Sequence, residues 1–191
     1  MRTMWHISGR LGNQMFQFAY LYAQARRGQI PDVYVQDEKY FAEFKDEIRA
    51  LYGATYKQYT PIDKVSIHVR RGDYENNKFY VDLFKDGYYE NAMKIFPDEK
   101  FIVFSDDIEW CKKQDVFKDC DFSEERDEIE DMNKMISCKA HIIANSSYSW
   151  WAAYISGKRT VAPEKWYTFM SPNDGNQLIP STGLPDNWER V

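Results

Sequence analysis

The sequence has no apolar run long enough to cross a bilayer. Its longest, such as Phe101-Ile-Val-Phe104 and Trp150-Trp-Ala-Ala-Tyr-Ile155, fall far below the roughly 20 residues a spanning helix needs. Cysteine is scarce: Cys111, Cys120 and Cys138 are the three in the 191-residue chain. The start, Met1-Arg-Thr-Met-Trp-His6, lacks the apolar stretch of an export signal, so reduced thiols and a cytoplasmic location are expected. Positive charge is not in excess either. Lys and Arg number 25 against 30 Asp and Glu, a formal net charge of -5, which argues against a broad nucleic-acid footprint. Repeats, heptads and low-complexity tracts are missing, as are the Walker loop, His-Glu-X-X-His, Cys-X-X-Cys and Gly-X-Ser-X-Gly. P-loop, zincin, thioredoxin-like and α/β-hydrolase readings lose their support with them.

What is present is enough to build a core. Hydrophobic residues make up 43% and charged residues 29%, and aromatics reach 17% with six Trp. Short apolar runs alternate with helical periodicity, which predicts an α/β protein with a Rossmann-like parallel sheet. Strands are predicted at 4–7, 33–35, 65–70, 100–104, 141–144 and 160–162. Helices are predicted over 13–27, 40–51, 88–96, a short one carrying Trp110, 124–138 and 148–156. In the acidic helix over 124–138, Ile129, Met132, Met135 and Ile136 are expected to face inward. The tail reads as mostly irregular.

Three polar clusters follow predicted strands at their carboxyl ends: Arg70-Arg-Gly-Asp73, Ser105-Asp-Asp107 and Asn145-Ser-Ser147. A parallel sheet gathers such ends along one edge, where open α/β sheets bind ligands. The segment from Ser8 to Asn13 follows a strand and opens a helix, so it can face the same cleft.

Alternation puts His68 and Arg70 on one side of their strand. Two adjacent guanidiniums, Arg70 and Arg71, offer forked donors matched to phosphate oxygens, and Gly72 lets a ligand approach the backbone. An isolated Arg pair is more often a surface ion-pairing site; at the end of a buried strand, phosphate binding ranks ahead. Asn145-Ser-Ser147 before a helix combines helix N–H groups with hydroxyls into an anion site, against the plainer reading of a serine cap. The same residues spell a glycosylation sequon, which a buried strand end disfavours. Asp106 and Asp107 can hold a metal, a ribose or a cationic partner, or cap the helix of Trp110. Asp119-Cys-Asp121 matches the Asp-X-Asp of metal-dependent glycosyltransferases, although in a chain with 30 acids a solvated loop is the default. Trp150 and Trp151 read as core.

Four blocks in order, Gly9-Arg-Leu-Gly-Asn-Gln-Met-Phe-Gln17, His68-Val-Arg-Arg-Gly-Asp-Tyr74, Phe104-Ser-Asp-Asp107 and Ile142-Ile-Ala-Asn-Ser-Ser-Tyr-Ser-Trp-Trp151, together resemble the bacterial α-1,2-fucosyltransferases. Asp131-Met ahead of Cys138-Lys adds to the set. The resemblance implies a GT-B-like enzyme that moves fucose from GDP-fucose to a sugar hydroxyl with inversion, without a metal or a further cofactor. It implies that Arg70 neutralises the departing GDP with Arg71 in support, that His68 and Asp131 bind guanine, and that Ser146 and Ser147 contact the diphosphate. Asp106 and Asp107 would shape the cleft, and Asn13 would approach the nucleotide sugar. Asp73 is the nearest candidate for the base, or else a structural partner of the arginines. The chain departs from the family at Arg10, where a second Gly is usual, and at Tyr148, where Phe is usual. Only 55 positions separate Asn13 from His68, a stretch the family normally has much longer.

That compression predicts a reduced N-terminal lobe on the acceptor side over 1–62 and a GDP-fucose-binding Rossmann-like lobe over 63–191. The expected partners are GDP-fucose and an oligosaccharide or glycan acceptor, with no nucleic acid and no transmembrane segment; peripheral membrane association stays open. Three alternatives compete: a shortened relative acting as a nucleotide-sugar-binding module, a metal-dependent transferase using Asp119 and Asp121, and a lectin-like protein suggested by the aromatics alone.

Overall fold

A computed structural model describes residues 9–27, 38–55, 60–125, 127–168 and 183–191. The predicted strands at 4–7 and 33–35 lie outside the described residues.

The sheet grows from β1 (Ile62–Val69), where Val65, Ile67 and Val69 alternate with Ser66 and His68 and all five are buried. β-Branched residues fit a pleated strand covered on both faces, which is what a central parallel strand requires. β2 (Phe101–Ser105), β3 (Asp121–Phe122), β4 (Cys138–Ile142), β5 (Thr160–Ala162) and β6 (Glu189–Arg190) complete it. All pairings are parallel and the order is β3-β2-β1-β4-β5-β6, the doubly wound Rossmann order. The chain winds outward from β1 to β3, then returns to β4 beside β1 and winds the other way. That reversal places the switch point between β1 and β4.

One face carries α3 (Tyr88–Lys94) and α4 (Ile108–Cys111), packed on Val65, Ile67, Val69, Val103 and Ile142. The other carries α5 (Glu128–Ser137) and α6 (Ser147–Ser156). α6 is apolar on every side because a third layer, α1 (Leu11–Arg26) and α2 (Lys45–Thr55), covers its outer surface. Here much of the aromatic excess is spent. Phe16 of α1 sits 4.5 Å from Trp150 and 4.8 Å from Trp151 between ring centroids, and Trp150 stacks on Tyr154 at 4.5 Å. Both tryptophans are fully buried core residues.

Several expectations are adjusted. The stretch at 40–51 is not one helix: two 3₁₀ turns, Glu38–Tyr40 and Ala42–Phe44, precede α2, and the first helix starts at Leu11. α5 begins at Glu128 rather than 124, because the Asp127 carboxylate accepts from the Ile129 and Glu130 N–H groups and stops the helix from extending backward. Met132 and Met135 are buried as expected, but Ile129 is 49% exposed, since the first turn of α5 opens onto the edge of a cleft. β3 and β6, each two residues long at or near the sheet margins, carry no signal in the sequence. All three cysteines are free, and no helix among the described residues is long and apolar enough to cross a membrane.

Candidate functional site

The strand register sets the site. Val69 is level with Ser105, and Ile67 with Ile142, so Arg70, Asp106 and Asn145 emerge together at the carboxyl edge. A cleft of about 730 Å³ opens there, at the switch point. Asn13, His68, Arg70, Asp73, Asp106, Asp131, Ser146 and Ser147 all border it. Arg71 and Asp107 do not.

Arg70 is held in a fork. One guanidinium nitrogen pairs with Asp106 at 2.6 Å and the other with Asp73. The Arg70 side chain is 11% exposed, whereas Asp106 is at 27% and Asp73 at 56%. Gly72 makes this possible: with φ at +21°, an added Cβ would lie 2.5 Å from the Asp106 carboxylate. Asp106 is fixed from behind by the Arg71 backbone N–H at 2.9 Å. The Arg71 side chain turns away, lying 3.8 Å over the Trp110 ring and pairing with Glu75 at 2.8 Å. Asp107 caps α4 by accepting from the Trp110 N–H. Both therefore support the site from outside it.

His68 is buried beside Tyr148, and its Nδ1 meets the Ser149 hydroxyl at 2.9 Å. Ser149 in turn accepts from the Ala144 N–H at 3.2 Å. Burial, with Arg70 nearby, pushes the imidazole down to about 3, so the His68 ring bordering the cleft is neutral at physiological pH. Asp131 accepts from the Ser123 hydroxyl at 2.5 Å, and burial raises its carboxyl above the ordinary range. The Tyr148 hydroxyl donates to the Glu128 carbonyl and ties α6 to the start of α5.

Two helix N-termini meet at the floor. α6 starts at Ser146–Ser147, with Ser146 as its cap. α1 starts against it with no side-chain cap and no acid in its first turn. The Ser147 hydroxyl donates to Asn13 Oδ1 at 2.8 Å, and a Cβ on Gly12 would fall 2.6 Å from the Ser147 carbonyl carbon. Only glycine permits that approach. A capped helix start and an uncapped one thus lie beside a guanidinium, an arrangement whose N–H dipoles favour negative charge. Asn145 is buried, its amide donating to the Val81 and Trp166 carbonyls at 3.1 and 3.0 Å, so it organises the edge rather than serving as a glycosylation acceptor.

Two walls escaped the sequence reading. Glu125, Asp127 and Glu128 extend the Asp131 side, while Tyr74, Tyr80, Trp166 and Tyr167 form the other. Arg10 adds a second guanidinium to the lining. Asp121 lies elsewhere, opening β3 opposite Ile102 and pairing with Lys64, near the other end of the strands. Among the described residues no group of three or more His, Cys, Asp or Glu is arranged to hold a metal.

Sheet order and cleft together define a doubly wound α/β protein with a polar cleft at its switch point. Comparison with known proteins narrows this. The model of glycosyl transferase family 11 matches residues 49–177, more than half of the chain, and the chain belongs to that family. An α-1,2-colitosyltransferase of Escherichia coli is 33% identical, with the match covering 82% of this chain and 60% of that protein. The O-antigen biosynthesis glycosyltransferase WbnK of Escherichia coli is 39% identical over 53% of this chain and 38% of its own length. The mouse galactoside 2-α-L-fucosyltransferase Sec1 is 31% identical over 53% and 31% respectively. The chain thus spans 60% or less of the length of these relatives.

Proposed function

We propose that this chain transfers fucose from GDP-fucose to a sugar hydroxyl, as an inverting α-1,2-fucosyltransferase that needs no metal and no cofactor beyond its donor substrate. The observation that carries this is the convergence of Arg70, the starts of α1 and α6, His68 and Asp131 on one cleft. Family membership and the relatives' activities support it.

In the proposed reaction the acceptor oxygen bonds to the anomeric carbon as the bond to the β-phosphate oxygen breaks. GDP leaves with that electron pair and the hydroxyl proton passes to a carboxylate. Charge therefore grows on the phosphate, where Arg70 and the helix N–H groups sit preorganised, and stabilisation of this kind commonly lowers a reaction barrier more than any other single effect. Arg10 lies within the same lining and adds to it. Asp131 would accept from the guanine N1–H and N2–H₂ groups, with His68 beside it. Asp73, the more exposed carboxylate on Arg70, is the one a diphosphate displaces, and once released it is placed to take the acceptor proton.

The same proposal holds residues 63–191 to be the donor lobe of a GT-B-like arrangement and 1–62 its reduced acceptor side. It also takes the reaction to run in the cytoplasm. The test is transfer of labelled fucose from GDP-fucose to a panel of galactosides, with donor hydrolysis measured alongside. Transfer, unchanged by EDTA, is the expected result. Donor binding without transfer or hydrolysis would identify a binding module instead, and activity lost in EDTA would refute the metal-free chemistry.

A further inference from the structure

We infer that the aromatic wall of the cleft binds the apolar face of a pyranose ring. The wall joins two segments far apart in sequence. Tyr80 and Tyr167 form an antiparallel bridge, Val81 N–H donates to the Trp166 carbonyl at 3.1 Å, and Thr168 N–H donates to the Phe79 carbonyl at 2.9 Å. The Asn145 amide pins both strands of this clasp to the sheet edge through the Val81 and Trp166 carbonyls.

The rings are fixed before any ligand arrives. Tyr74 and Tyr80 stack at 3.6 Å with their planes 6° apart, the Tyr74 hydroxyl donates to the Asn145 carbonyl at 3.1 Å, and Tyr167 leans on Tyr80 at 5.6 Å. Trp166, only 3% exposed, borders the cleft beneath them with an indole N–H that meets no acceptor among the described residues. Aromatic faces carry negative charge density, and one face of a pyranose presents a row of weakly positive C–H groups, so the two surfaces attract while the ring hydroxyls stay in water.

Position selects a sugar over a base. The inference rests on the proposed function, in which the guanine lies against Asp131 and the diphosphate at Arg70. The carbon of that guanidinium lies 5.5 Å over the Tyr74 ring, so the Tyr74–Tyr80 stack adjoins the diphosphate position. A nucleotide sugar laid along the cleft with its base among the acids carries its sugar onto the aromatic wall. The ring in contact is either the donor's or the acceptor's; their C–H faces pose the same chemistry.

The experiment first titrates GDP into the unmodified protein, then compares GDP, GDP-fucose and acceptor kinetics in Tyr80→Ala, Tyr80→Phe and Tyr167→Ala, each checked for folding by its thermal melt. For a donor ring, Tyr80→Ala loses about tenfold in the affinity of GDP-fucose relative to GDP; for an acceptor ring, the acceptor KM rises by about tenfold instead. In both cases GDP affinity holds and Tyr80→Phe behaves as the parent. Unchanged ratios and KM in both alanine variants, or a loss of GDP affinity in the same proportion, would overturn the inference. Failure of the functional reading shows earlier, as no GDP binding by the unmodified protein. The wall is then tested by titrating free L-fucose and galactosides against tryptophan fluorescence: a saturable change lost in Tyr80→Ala supports it, and no change with any sugar overturns it.

Discussion

Arg70 shows why a single guanidinium can serve both fold and ligand. Two carboxylates hold it while the cleft is empty, and they differ in how readily they are displaced: Asp106 is the less exposed and is also bonded to the Arg71 N–H, whereas Asp73 is largely in solvent. Asp73→Asn, by removing a competitor for Arg70, is therefore predicted to leave GDP binding intact or tighten it while transfer falls by at least about a hundredfold, within the range of general-base loss. Calorimetry beside a transfer assay checks it; GDP affinity lost together with transfer would make Asp73 a structural partner only. The two buried histidines make a second prediction. His68 is held to about 3, as is His141, whose ring nitrogens meet the Ser66 and Ser156 hydroxyls at 2.7 and 2.6 Å. An unfolded imidazole takes its proton near pH 6.5 and the folded ones refuse it until about pH 3, so the unfolded chain binds more protons across that window. Stability then drops as pH falls, by on the order of 2 kcal/mol per histidine between pH 7 and pH 5. Urea unfolding at the two pH values measures this, and equal midpoints would contradict the burial of both rings as neutral species.

The contact of α1 with α6 is where element packing makes the site. It brings two helix starts to one floor, and it depends on the bare backbone at Gly12. Gly12→Ala is predicted to force the helices apart, costing about 1–3 kcal/mol of stability by overpacking and weakening anion binding with it. Thermal melts and GDP titration of the variant report the two effects, and an unchanged melt would mean the approach is looser than the structure shows. Elements also mark how far sequence reading reaches. The edge-forming clusters at Arg70, Asp106 and Ser147 were legible because alternation in β1 and apolar runs in β2 and β4 assign strands, and parallel strands align their carboxyl ends. The strands β3 and β6 were not, since two residues carry no periodicity. Ile129 fits a helical stripe and is exposed all the same, because burial depends on what covers a turn. Arg71 reads like Arg70 in sequence, but successive residues point opposite ways as the chain leaves β1, and Trp110 takes its side chain. The clasp of Tyr80 and Tyr167 was invisible, as nothing local links positions so far apart.

On the scale of the molecule, the sheet supplies a cleft with unlike ends: carboxylates on α5 and the loop before it, tyrosines on the clasp, and cationic groups between them. Six carboxylates against two guanidiniums line it: Asp73 and Asp106 pair with Arg70, Glu125 pairs with Lys134, and Asp127 and Asp131 accept from neutral N–H and hydroxyl donors, so an arriving phosphate would reach Arg70 by displacing Asp73. Binding there stabilises the fold by mass action, so GDP is expected to raise the melting temperature with the logarithm of its concentration once that exceeds Kd. The central claim, a guanosine diphosphate site at the switch point centred on Arg70, is tested most directly by isothermal titration of GDP into the protein and into Arg70→Ala. Saturable one-to-one binding is predicted, weakened by about a hundredfold in the variant through the lost charge-assisted bonds. A folded protein that gives no binding heat with GDP, or an Arg70→Ala variant that binds it as tightly, would contradict it.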